Sequence, residues 1–199
     1  MAGFMIHFAV GKMYAEKQGG ITNFEDFYTG ILAPDLAEDK FKSHYTHSIH
    51  REDLKDHLAK KVQLHEYLKE NSFETDFDKG VFLHLVTDYI YFNHYFDEEL
   101  IKNSTFYDFF QKMYKSYDCT NDFLIEQYGI KECPYSKVLI DEIENAKIVK
   151  KDFKVEEGEN ILDTSDLTAF IDFVSSIDLT KYAEHIKSKD QNVPPAEMN

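Results

Sequence analysis

An all-α protein, a single compact multi-helix domain, is predicted on three observations. Only 8 glycines and 4 prolines punctuate 199 residues. Apolar residues recur at spacings of three and four, and no stretch shows the alternation of a half-buried strand. At 43% hydrophobic and 15% aromatic residues, a chain of this length has apolar surface for one sizeable core. The domain is expected over residues 1–186, with 187–199 a flexible tail.

Residues 4–17 read as a first helix that ends before Gly19-Gly20. Asn23 is a suitable cap for a second helix across FEDFYTGIL, expected to stop near Pro34. The proline would then fix a loop in which the Asp35 carboxylate points inward. A polar connector, PDLAEDKFKSHYTHSIHRED, follows. Residues 52–70 place Leu54, Leu58, Val62 and Leu68 near one face, as an amphipathic surface helix does. Residues 77–97 are apolar round nearly the whole circumference, so this helix belongs at the centre of the domain. Further helices are expected over 100–117, 120–129, 134–148 and 165–178, the last capped by Ser165, with 152–166 largely loop.

Charge and cysteine usage narrow the function classes. Asp plus Glu outnumber Lys plus Arg by 37 to 22, a formal charge of −15, which argues against general binding of nucleic acid or anionic lipid. A local positive centre made by bound cations would still attract an anionic substrate. The opening MAGFMIHFAVGKMYAEK lacks a positive n-region, and its apolar stretch is too short for a transmembrane segment, so a cytoplasmic protein is expected. Cys119 and Cys133 lie apart from any histidine and suggest neither a disulfide framework nor a zinc knuckle.

The segment GVFLHLVTDYIYFNHYF, residues 80–96, carries His84, Asp88 and His94 inside the apolar run. At about 100° per residue, His84 and Asp88 share one face a turn apart. A buried carboxylate needs a hydrogen-bonded partner or a metal cation. One reading is a structural pair, Asp88 with His84 or with a lysine from another helix. The other is a metal site. Eight of the nine histidines precede residue 95, among them His7, His44, His47 and His50, and His with Asp but without useful Cys suits a hydrolytic zinc site.

His7, Asp35 in GILAPD, His44 in KSHY, then His84, Asp88 and His94 in HLVTDYIYFNH resemble the zinc-dependent phospholipase C family, related to the P1-type nucleases. The resemblance covers about residues 3–98 and implies an all-helical, metal-dependent hydrolase. It implies that His7 and Asp88 hold one metal and that Asp35, His44, His84 and Asp88 hold its neighbour, Asp88 bridging the two. His94 would belong to a third metal. On a straight helix it points about 80° from His84, so a core histidine is the alternative. His44 fits the family position better than His47.

Secreted members use their processed N-terminal residue as a ligand, whereas Met1 here lies six residues before His7, so one ligand is expected to be missing or replaced. No HxxxE pair follows residue 94, so the third site is expected to be absent or altered. The function expected is hydrolysis of a small-molecule phosphoester, phosphodiester or phosphomonoester, possible phospholipid included, through one or two divalent ions, zinc foremost. Asp35 would serve as ligand, general base or both. The alternative is a non-catalytic helical binding or regulatory protein that keeps a metal site.

Overall fold

In a computed structural model the described residues are 2–46, 62–96, 98–135, 137, 141 and 160–195. Among them are nine α-helices and no strand, the architecture predicted. Most of the expected helix over 134–148 and of the expected loop over 152–166 lies outside the described residues, as do His47, His50 and His57.

Helix α1 (Phe4–Gln18) buries Met5, Ile6, His7, Phe8, Ala9, Val10, Gly11 and Tyr14. It ends in Gly19 and Gly20 at φ 67° and 72°, a left-handed exit that costs glycine little. Helix α2 (Phe24–Leu36) is capped by Asn23, whose side chain accepts from the Asp26 N–H. It does not stop at Pro34. The proline lies inside the helix and Asp35 is in its last turn, not in a loop. A proline φ is helical, so only one N–H is lost, and Ala37 N–H still donates to Ala33 O at 3.1 Å. The short α3 (Lys40–Ser43) follows. The helix expected over 52–70 is described only from α4 (Leu64–Glu70), which starts anew after a non-helical Val62 and Gln63.

Helix α5 (Asp76–Ile90) opens with a reciprocal capping box between Thr75 and Asp78. From Phe82 to Ile90 every residue is buried, so the helix is central as predicted. It gives way to a π-helical turn at Tyr91–Tyr95, which abolishes the straight-helix phase assumed for His94.

Helices α2 and α5 run side by side in the same direction. The Asp76 carboxylate accepts from Thr22 N, Thr22 Oγ1 and Asn23 N at 2.7–2.8 Å, and at mid-helix His84 Nδ1 meets Ile31 O at 2.7 Å. Both Asn23–Asp76 and Ile31–His84 are separated by 53 residues, so the register is constant. Gly30 and Gly80 face each other at the crossing.

After α6 (Glu98–Lys102), α7 (Phe106–Gln127) is one continuous helix where two were expected. Its buried stripe of Phe109, Met113, Ser116, Thr120 and Leu124 crosses the expected break because Ser116 and Thr120 return their hydroxyls to the carbonyls four residues back, at 2.7 and 2.9 Å. A 3-10 turn, Ile130–Glu132, follows. Helix α8 (Thr164–Ser175) is capped by Asp163, not Ser165. Helix α9 (Leu179–Lys189), unexpected from the sequence, buries Leu179, Tyr182, Ala183 and Ile186. The chain stays packed beyond it: Tyr182 Oη donates to Val193 O at 2.7 Å and Asn192 Nδ2 to Val62 O at 2.8 Å.

Candidate metal centre

The constant register of α2 and α5 brings Asp35 beside Asp88, one turn beyond the Ile31–His84 hydrogen bond. The second turn of α1 adds His7, and the residue after α3 adds His44. All five side chains are buried. His7 and His84 stack with ring centroids 3.7 Å apart and planes 10° from parallel. Asp88 divides its two oxygens: Oδ1 lies 3.4 Å from His7 Nε2, and Oδ2 lies 3.7 Å from His44 Nε2 and 3.8 Å from His84 Nε2. His44 Nε2 is also 3.4 Å from Asp35 Oδ1.

The imidazole protons can be assigned from the backbone. His84 Nδ1 lies 2.7 Å from Ile31 O, and His44 Nδ1 2.8 Å from Lys40 O. A carbonyl oxygen only accepts, so each Nδ1 carries a proton, and in the neutral ring each Nε2 is a bare lone pair. The two Nε2 atoms nevertheless face each other at 3.1 Å. Two lone pairs at that distance repel unless a cation or a proton lies between them. Burial is the main reason the His84 pKa falls to about 3, aided by the neighbouring His7, so His84 itself does not supply that proton at neutral pH.

The carboxylates raise the same question. Burial alone would raise the Asp35 pKa, but the close His44 and the nearby His84 and His7 bring it down to about 2. Burial would likewise raise Asp88, yet the chain's amino terminus and its histidine neighbours hold it well below the usual carboxylate range. Two buried carboxylates are therefore ionised. Among the described residues their ion-pair partners are histidines, not lysine or arginine. Asp35 Oδ1, Asp88 Oδ2 and both ring nitrogens of His7 are buried without a hydrogen-bond partner. Such groups cost free energy unless a ligand engages them.

Two sets of donor atoms each lie within 4.8 Å of one another: His7, Asp35 and His84, and His44, His84 and Asp88. Nitrogen and carboxylate donors in this proportion fit zinc, and the Nδ1–carbonyl bonds orient the two imidazoles as zinc-ligating histidines usually are. The structure thus collects five of the six sequence-predicted ligands. It does not collect His94, which is exposed on the π-turn with its ring edge-on to Tyr89 at 5.8 Å.

Sequence reasoning had no means of finding the backbone groups that complete the cluster. Besides the two carbonyls, Ala2 N–H donates to Asp88 Oδ1 at 2.6 Å, a main-chain contact to a buried carboxylate. Ser43 Oγ lies 3.0 Å from His44 Nδ1 and 2.8 Å from Pro34 O. Tyr45, next to His44, is held at φ 50°, uncommon for a bulky residue, with its carbonyl accepting from Gln63 N at 3.1 Å. On the solvent side, half-exposed Tyr114 from α7 has its phenol pKa raised by burial and by the charge of Asp35.

A family model described as zinc dependent phospholipase C matches residues 4–172. No curated protein and no solved structure matches this chain.

Proposed function

Since the chain belongs to the zinc-dependent phospholipase C family, we propose that it hydrolyses a phosphoester with His7, Asp35, His44, His84 and Asp88 holding one or two divalent ions. The observation that carries this reading is the pair of imidazole nitrogens, His44 Nε2 and His84 Nε2, that face each other 3.1 Å apart beside orphaned carboxylate oxygens. When bound, divalent ions of this kind supply Lewis acidity and an activated water for phosphoester cleavage.

The chain's own residues prepare that chemistry. Ile31 O and Lys40 O fix the tautomers of His84 and His44, so both present lone pairs without rearrangement. Asp88, fully buried, acts as the shared anion, because its separate oxygens face His7 and His44. Asp35 is the more accessible carboxylate and stands beside Tyr114. It serves as a ligand and orients the attacking water. Its low pKa suits an acceptor that stays ionised better than one that stores a proton. His94 is left outside the ligand set.

The substrate proposed is a small phosphodiester or phosphomonoester. Among the described residues, no helix is long and apolar enough to cross a membrane. The test is metal analysis of untagged protein followed by turnover with zinc and manganese on p-nitrophenyl phosphate, bis-p-nitrophenyl phosphate and a short-chain phosphatidylcholine. Metal with turnover on any of the three supports the proposal. Tightly held metal without turnover on all three favours a binding protein.

A further inference from the structure

Gly30 and Gly80 lie outside the ligand set, yet they sit where α2 and α5 come closest. A Cβ built on Gly80 would overlap Phe27 O and come within 2.9 Å of Ile31 N. One built on Gly30 would overlap Phe77 O and come within 3.0 Å of Phe77 C and 3.1 Å of Val81 N. Each methyl meets backbone of the opposite helix, and backbone cannot rotate away as a side-chain tip can. Heavy atoms essentially never approach a real Cβ within 3.0 Å, so either methyl must move the helices apart.

That movement falls at a particular place. Gly30 precedes Ile31, whose carbonyl holds His84 Nδ1. Gly80 precedes His84 by one helical turn, and a further turn along each helix come Asp35 and Asp88. Every α2–α5 relationship in the cluster is therefore downstream of the glycine contact, while Asp76 anchors the upstream end to Thr22 and Asn23. Helices pinned at one end and wedged in the middle splay most at the other end, which is where the cluster lies. Metal–ligand distances fall within about 0.2 Å of their usual values, so a splay of the helices must be felt at the ligands.

We propose that Gly30 and Gly80 are positioning residues for the metal centre, setting the α2–α5 separation that lets Asp35 and Asp88 converge with a correctly oriented His84. This rests on the metal-binding reading above and adds to it the device that sets the ligand spacing.

The test compares Gly80→Ala and Gly30→Ala with Ile186→Ala, a cavity variant in α9, which contributes no cluster residue. Helix content, melting temperature and binding of Co²⁺ are measured, the last by competition with a chelator and by the visible ligand-field bands. The glycine variants, still helical, should bind Co²⁺ at least tenfold more weakly than the parent and with shifted bands. Ile186→Ala, comparably lowered in melting temperature, should keep the parent's affinity and spectrum. Parent-like Co²⁺ binding in the glycine variants overturns the proposal, as do equal losses in all three. So does failure of both glycine variants to fold, which would give the contact to the fold and not to the ligand spacing. A parent that binds no Co²⁺ defeats the metal reading as well, an outcome distinct from the others.

Discussion

His44 and His84 turn their Nε2 atoms toward each other at 3.1 Å while each Nδ1 is committed to a main-chain carbonyl. Neither ring can flip to relieve the approach without losing its carbonyl bond. With both rings neutral the approach is unfavourable, and a cation between the two nitrogens would make it favourable.

The first prediction follows from that conversion. Divalent metal should raise the melting temperature and a chelator should lower it, because a ligand bound only by the native state adds to its stability. The gain is about 4 kcal/mol at a free concentration 1,000 times Kd. Calorimetry with zinc, manganese and chelator checks this, and an unchanged melting temperature in all three counts against a metal centre.

Asp88→Asn should remove most of the bound metal, since the side chain keeps its volume but loses the negative charge facing His7 and His44. His84→Ala should lose metal too, because both candidate donor sets use it. Elemental analysis after gel filtration gives the stoichiometry. If Asp88→Asn keeps its metal and shows only a lower melting temperature, Asp88 is a structural anion.

Metal-free protein should lose stability as the pH falls below about 6.5. The His84 pKa is lowered to about 3 in the fold, so between the unfolded value and that value the unfolded chain takes up a proton that the native chain refuses. The contribution is full above pH 6.5 and declines below it, by up to about 1.4 kcal/mol per pH unit. Asp35, held down to about 2, adds a second decline that begins below its unfolded value near about 3.9. Denaturant titrations from about pH 8 to about pH 2 in chelator test the sign, and a stability that rises on acidification would contradict it.

Asp76→Asn should cost on the order of 2 kcal/mol through hydrogen bonds that are no longer charge-assisted. Although burial opposes it, Lys79, Asn23 and Thr22 hold the Asp76 carboxyl well below the usual range. Its contribution is thus present at neutral pH and lost in strong acid. Urea denaturation at pH 7 measures the difference, and an unchanged midpoint would show that the α2–α5 anchor is redundant.

What the sequence disclosed divides along physical lines. His84 and Asp88 were legible because a helix with no polar face has no ordinary reason to carry them, and the early His and GILAPD completed a familiar order. His94 entered the ligand set through the resemblance, whereas straight-helix arithmetic already turned it about 80° from His84, and the π-turn changes its direction again. Asp35 was expected to be buried but in a loop, because proline was read as a stop and not as a residue that costs one N–H. Helix α7 was expected as two helices, and it runs on through Ser116 and Thr120, whose hydroxyls bond to the preceding turn. Helix α9 was overlooked despite a regular signal, Leu179, Tyr182, Ala183 and Ile186 behind the Asp178 cap. The carbonyls that set the imidazole tautomers have no sequence signature.

The shared register of α2 and α5 also decides which length changes this protein can tolerate. A residue gained or lost between the two helices leaves every pairing across them intact, so long as the chain still reaches. One gained or lost inside either helix, between the Asn23–Asp76 anchor and the Asp35–Asp88 pair, turns one carboxylate by about 100° about its axis while its partner stays where it was. Natural variation in length should therefore collect between His44, itself tied to Lys40 O, and Thr75, and avoid the two twelve-residue intervals that measure out the site.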